Sequence, residues 1–263
     1  METQRRILGG NNNFHAQTPW GGWAAGFISI GFFVFQIIFA GILGLALVLG
    51  QFGPTIFEGG LTLTVSDKKL LIDLIIITLV ISYIATVGLV VFVAGRRGGS
   101  VAEVLSLKRP AGFLINMVLG IVLLMIFFAA LSFVMETFFA RDAQQTEAQM
   151  KQIFALIKDS SLLWGGVGVI VVGAPILEET VFRGFLLNSL SKTRLGFWGG
   201  AALSSLLWAA IHGYAASMAV GLFVFGLLLS FMVLRTGSIW ISIIMHALWN
   251  GAVTIGMFVM MGN

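Results

Sequence analysis

The chain has 263 residues, of which 58% are hydrophobic and only 10% charged, and its mean hydropathy is +1.01. A soluble domain carries about 25% charged residues because its surface faces water, so a soluble globular protein is excluded and lipid is the solvent for most of this chain. The net charge of +4 comes with no cysteine, which rules out disulfides, thiolate catalysis and thiolate metal sites.

The N-terminal segment does not read as a cleaved signal peptide, because Arg5 and Arg6 are followed by a polar run, Gly9 to Thr18, before any apolar stretch. A membrane-spanning helix needs about 20 mainly apolar residues. That criterion predicts spans near 22–50, 70–94, 112–136, 162–190, 197–213, 217–235 and 238–261, the first tilted or broken around Gly41, Gly44 and Gly50. The loops 51–69 and 95–111 are short and polar. Within 137–160, Met150, Ile153, Phe154 and Ile157 fall at helical spacing and predict a short amphipathic helix at the membrane surface. The expected architecture is an all-α polytopic membrane protein with about seven transmembrane helices and one interfacial helix. We divide it into N-terminal helices, 1–160, and a C-terminal core, 161–263, within one integral domain.

With seven spans, one side of the membrane holds Arg5, Arg6, Arg96, Arg97, Lys108, Arg109, Lys192, Arg194 and Arg235. The other holds Lys68, Lys69, Arg141, Lys151 and Lys158. Positively charged loops stay cytoplasmic, so the N-terminus is expected inside and the C-terminus outside. The basic residues therefore read as orientation signals, and no nucleic-acid partner is expected.

The fourth span contains Ala174-Pro175-Ile176-Leu177-Glu178-Glu179-Thr180-Val181-Phe182-Arg183. Each carboxylate costs on the order of 2–3 kcal/mol inside a membrane helix, so such groups are functional candidates with partners to be found. A helix end at the interface is the alternative, but apolar residues resume at Phe185-Leu186-Leu187. Glu179 and Arg183 are one turn apart and can form an ion pair, whereas Glu178 lies about 100° around the helix and points elsewhere. Pro175 removes a backbone donor and predicts a kink.

His212 in the fifth span, and His246 with Asn250 on one face of the last, add polar groups. A membrane histidine on its own is as well explained by helix packing. Counting from the nearest basic or interfacial residues, Glu178, His212 and Asn250 all reach depths of about 18–22 Å at 1.5 Å per residue, and His246 lies one turn shallower. Groups on three helices thus share one layer. His15 lies in the polar N-terminal segment and is given no role.

The pattern Glu-Glu-x-x-x-Arg, aromatic-x-x-x-His and His-x-x-x-Asn, in that order over residues 174–250, resembles the CAAX protease and bacteriocin-processing (CPBP) family of intramembrane proteases. Trp208 stands where that family more often has Phe. The resemblance implies that Glu178 and His212 activate a water. It makes His246 and Asn250 oxyanion donors, and Glu179, Arg183 and Trp208 structural or substrate-orienting. A carboxylate shielded from bulk water suits a general base, and imidazole and amide N–H groups suit an oxyanion. Two histidines and a glutamate also match a catalytic zinc set, but there is no His-Glu-x-x-His motif and Asn is a poor zinc ligand, so hydrolysis without a cofactor is the expectation and a zinc site the alternative.

The reading is an endopeptidase of the bacterial plasma membrane acting on a peptide or membrane-protein substrate, prenylated or not. A non-catalytic accessory, assembly or immunity protein within a larger membrane complex is the alternative.

Overall fold

The computed structural model describes residues 13–57 and 64–262; Arg5, Arg6 and the part of the polar run before Asn13 lie outside them. Long apolar runs fold as helices because a backbone N–H or C=O left unpaired in lipid costs several kcal/mol. The helices are α1 (Gly22–Phe52), α2 (Val65–Ala94), a short α3 (Val101–Val104), α4 (Phe113–Phe138) and α5 (Ala140–Lys158). They continue with α6 (Leu163–Leu190), α7 (Gly196–Ala210), α8 (Ala216–Thr236) and α9 (Trp240–Gly262). Among the described residues, six of these are long and apolar enough to cross a membrane: α1, α2, α4, α6, α8 and α9.

The fifth expected span differs. Helix α7 has 15 residues, about 22 Å of rise, against a hydrocarbon core of about 30 Å. It stops at Ala210, so His212 sits on the turn that follows rather than inside a helix. Gly200, Ala201, Ser204 and Ser205 form its buried stripe, and such small side chains let helix backbones approach closely. The Ser204 hydroxyl donates to the Phe182 carbonyl of α6 at 2.9 Å.

Helix α2 begins five residues earlier than expected because Thr64 and Asp67 form a capping box, with Asp67 N–H reaching Thr64 Oγ1 at 3.2 Å and Thr64 N–H reaching Asp67 Oδ2 at 2.9 Å. Asp73 of α2 accepts from the Ser160 hydroxyl and from the Ser161 and Leu162 N–H groups, so one helix caps the start of α6 from outside. Helix α5 is the amphipathic element. It buries Phe154 and Ile157, while Ile153 faces outward.

At the opposite end the N-terminal segment is tied to the bundle. The N–H groups of Asn13 and Phe14 both donate to the Leu234 carbonyl at 3.2 Å, and the turn at Gly237, with φ +67°, leaves room for the Asn13 backbone. Asn188 is the hub. Its oxygen accepts from Gln17 N–H, and its amide nitrogen donates to the carbonyls of Glu103 and Val104 and to Ser106 Oγ. Lys192 Nζ donates to the Thr18 carbonyl at 2.7 Å. One buried cluster joins Ala25 and Phe32 of α1 to Leu177, Phe185, Trp208 and Phe225, so α6 runs through the middle of the protein.

Candidate active site

Helix α6 carries two wide turns. Residues Val169–Gly173 and Thr180–Leu186 follow the i→i+5 pattern, and only Ala174–Glu179 between them is regular α-helix. Wide turns of this kind concentrate at functional sites. Pro175 stands near the start of the regular stretch between the two wide turns.

The adjacent carboxylates face different surroundings. Glu179 is fully buried, and its Oε1 accepts from Arg183 Nη1 at 2.9 Å, the guanidinium being fully buried too. The same oxygen lies 3.1 Å from His246 Nδ1. A carboxylate held by a guanidinium accepts, so His246 places its Nδ1–H there and turns Nε2 the other way. The Arg183 guanidinium also lies 4.6 Å from the centre of the Trp208 ring, a favourable cation–π arrangement.

Glu178 points toward the histidines, its side chain 15% exposed. Its Oε2 accepts from the indole Nε1–H of Trp208 at 2.5 Å and lies 3.9 Å from both His212 Nε2 and His246 Nε2. His212 Nδ1 is 2.8 Å from the Trp208 carbonyl. A carbonyl only accepts, so Nδ1 carries the hydrogen and Nε2 offers a lone pair toward Glu178. A gap of 3.9 Å is too long for a direct hydrogen bond and suits a bridging water. Among the described residues, no group of three His, Asp or Glu side chains converges closely enough to hold a metal ion.

The Asn250 amide nitrogen, one turn beyond His246 on α9, donates to the Ile170 carbonyl at 2.9 Å. His15 is exposed.

Trp208, expected to be structural or substrate-orienting, has a more specific part, and two further contributors, Gly226 and Tyr214, escaped the motif reading. Trp208 supplies a hydrogen bond to Glu178 that phenylalanine lacks, and its departure from the usual family residue was the available signal. Gly226 of α8 has no such signal. A Cβ there would lie 2.7 Å from Ser205 Oγ and 2.8 Å from Arg183 Nη2, so the buried guanidinium needs a glycine opposite it. Tyr214, on the turn after α7, stacks on His212 with ring centres 6.0 Å apart and donates its hydroxyl to Met150 Sδ of α5 at 3.4 Å. Burial, followed by the Glu178 charge, holds its phenol above the ordinary tyrosine range, so it stays a neutral donor at the mouth of the site.

Helix α6, the turn after α7 and α9 of an all-α membrane bundle thus gather two carboxylates, two imidazoles, a guanidinium and an indole N–H in one cluster. Residues 159–252 match the family described as type II CAAX prenyl endopeptidase Rce1-like, a region that contains all three motifs. The match places this part of the chain with the CAAX protease-like proteins that its motifs resemble. An uncharacterized 24.3 kDa protein of Escherichia coli is 35% identical over 80 residues. That stretch covers 29% of this chain and 37% of the Escherichia coli protein. No solved structure matches the chain.

Proposed function

We propose that the protein is an intramembrane endopeptidase in which Glu178 and His212 hold and activate a water. The observation that carries this reading is the pair of acceptors, Glu178 Oε2 and His212 Nε2, facing one another across 3.9 Å from two different elements. Water held there gives one proton to Glu178 while its oxygen attacks the scissile carbonyl carbon, and His212 Nε2 fixes the other hydrogen. His246 carries the oxyanion role. Its ring lies between two carboxylates, with Nδ1 at 3.1 Å from Glu179 Oε1 and Nε2 at 3.9 Å from Glu178 Oε2, and in this role it donates from both nitrogens. Its Nε2–H then faces the developing oxyanion while Nδ1–H stays on Glu179. Collapse of the tetrahedral intermediate breaks the C–N bond, and Glu178 returns its proton to the leaving amine.

The substrate is a peptide segment held in or beside the bilayer. A groove of about 570 Å³ between α7 and α8, lined by Leu206, Ala209, Ala210, Ala219 and Phe223 among others, has the apolar character that suits such a segment. Arg96, Arg97, Lys108, Arg109, Lys192, Arg194 and Arg235 lie on the turns and helix ends at the Asn188 end, which makes that the cytoplasmic end in a bacterial plasma membrane.

The test is Glu178→Gln, which keeps the side chain's shape and removes the base. Membrane peptidomes of cells carrying wild-type and E178Q protein are compared, with the amount of folded protein measured in both. Peptides released by the wild type disappear with E178Q while its folded amount is unchanged. An unchanged peptidome with stable E178Q protein overturns proteolysis and leaves a binding role.

A further inference from the structure

Ala174 donates its N–H to the Val169 carbonyl, five residues back, so this turn of α6 runs in the i→i+5 register. In that register the Ile170 carbonyl would receive the N–H of residue 175. Residue 175 is proline, which has none. With Ala174 committed to Val169, the helix itself offers Ile170 no donor, and at membrane depth water does not make up the loss. Asn250 Nδ2, from α9, supplies the hydrogen bond at 2.9 Å.

We infer that Asn250 is a positioning residue whose amide replaces the donor that Pro175 lacks, and so holds the wide turn from which Glu178 projects. The surroundings are built for this. Gly251, next in sequence, brings α9 against Val171 of the same turn, whose Cγ1 would lie 3.7 Å from a Cβ at that glycine. Thr254 Oγ1 donates to the Asn250 carbonyl at 2.7 Å. One turn before Asn250, His246 grips Glu179. Helix α9 thus clamps α6 on both sides of Pro175, at Ile170 and at Glu179. The catalytic consequence of this role rests on the proteolytic reading; the hydrogen-bond replacement does not.

The test is a double-mutant cycle with Asn250→Ala and Pro175→Ala in the full chain, purified in lipid nanodiscs and melted by tryptophan fluorescence. Asn250→Ala alone orphans a buried carbonyl and lowers Tm by about 3–8 °C. Pro175→Ala returns an N–H to residue 175, so adding Asn250→Ala to it shifts Tm by less than half as much. Equal Tm losses in the two backgrounds overturn the inference. If Asn250→Ala does not accumulate as folded protein, recovery of folded protein in the double variant reads the same coupling, and no recovery overturns it. Peptide release in cells provides the second arm. Asn250→Ala lowers product per folded protein, and adding Pro175→Ala restores part of it; a loss that Pro175→Ala does not restore shows that the amide acts on the reacting atoms and overturns the positioning role. If even the wild type releases nothing, proteolysis fails, while the thermal cycle still decides the hydrogen-bond replacement.

Discussion

Replacing Arg183 by methionine keeps most of the side chain's length and removes its charge. Arg183 and Glu179 both have fully buried side chains, joined at 2.9 Å, so the variant leaves a carboxylate inside the bundle with His246 Nδ1 at 3.1 Å as its remaining strong partner. Removing one member of a buried pair costs about 3–5 kcal/mol, chiefly because the other charge stays buried and uncompensated. At about 2–4 °C per kcal/mol for a chain of this size, Tm falls by about 6–20 °C. Adding Glu179→Gln removes the stranded charge and returns the protein to within about 2 kcal/mol of the wild type. Tryptophan fluorescence melts in nanodiscs read both variants, because the chain has 7 tryptophans. Raising the salt concentration leaves the Arg183→Met loss unchanged, since buried pairs escape screening. A loss below about 1 kcal/mol for Arg183→Met, or a double variant no more stable than the single one, would refute the assignment of this pair as a buried ion pair.

Two further substitutions probe the residues that support the site. Trp208→Phe keeps an aromatic ring and deletes the hydrogen bond to Glu178; a charge-assisted bond is worth about 1.5–3 kcal/mol, so peptide release drops by about ten- to a hundredfold without unfolding, and unchanged release shows that the indole N–H plays no part. Gly226→Ala pushes a methyl group against Ser205 and Arg183 and destabilises by about 1–3 kcal/mol; a neutral or raised Tm shows that the guanidinium can shift and does not need the glycine.

Much of this was legible in the chain itself. Six of the expected spans match helices to within a few residues, because lipid imposes long apolar runs that no other environment requires. The Glu179–Arg183 pair follows from helical spacing, since a contact within one turn is local. The end of α7 was not legible: Leu206 to Ile211 stays apolar across the boundary, and hydropathy does not distinguish helix from turn. Nor was the partner of Asn250. The need of the Ile170 carbonyl arises from a wide register and a proline together, and the donor that meets it is 80 residues away. The family resemblance assigned that amide to the oxyanion, whereas its hydrogen bond in the structure goes to the backbone of α6.

The sequence by itself determined the solvent of this protein, the rough placement of its six long helices, and that Glu178, Glu179, Arg183 and His246 lie inside them. Charge density, hydropathy and period are properties of neighbouring residues, and they survive being read along a line. Only the tertiary structure decided which way each group faces: Glu178 toward two histidines and an indole N–H, Glu179 toward Arg183, and Asn250 toward an orphaned carbonyl. Those choices are made between helices, by close approach at residues such as Gly226 and by the cost of leaving a buried donor or acceptor without a partner. A one-dimensional pattern carries no record of which partner that will be.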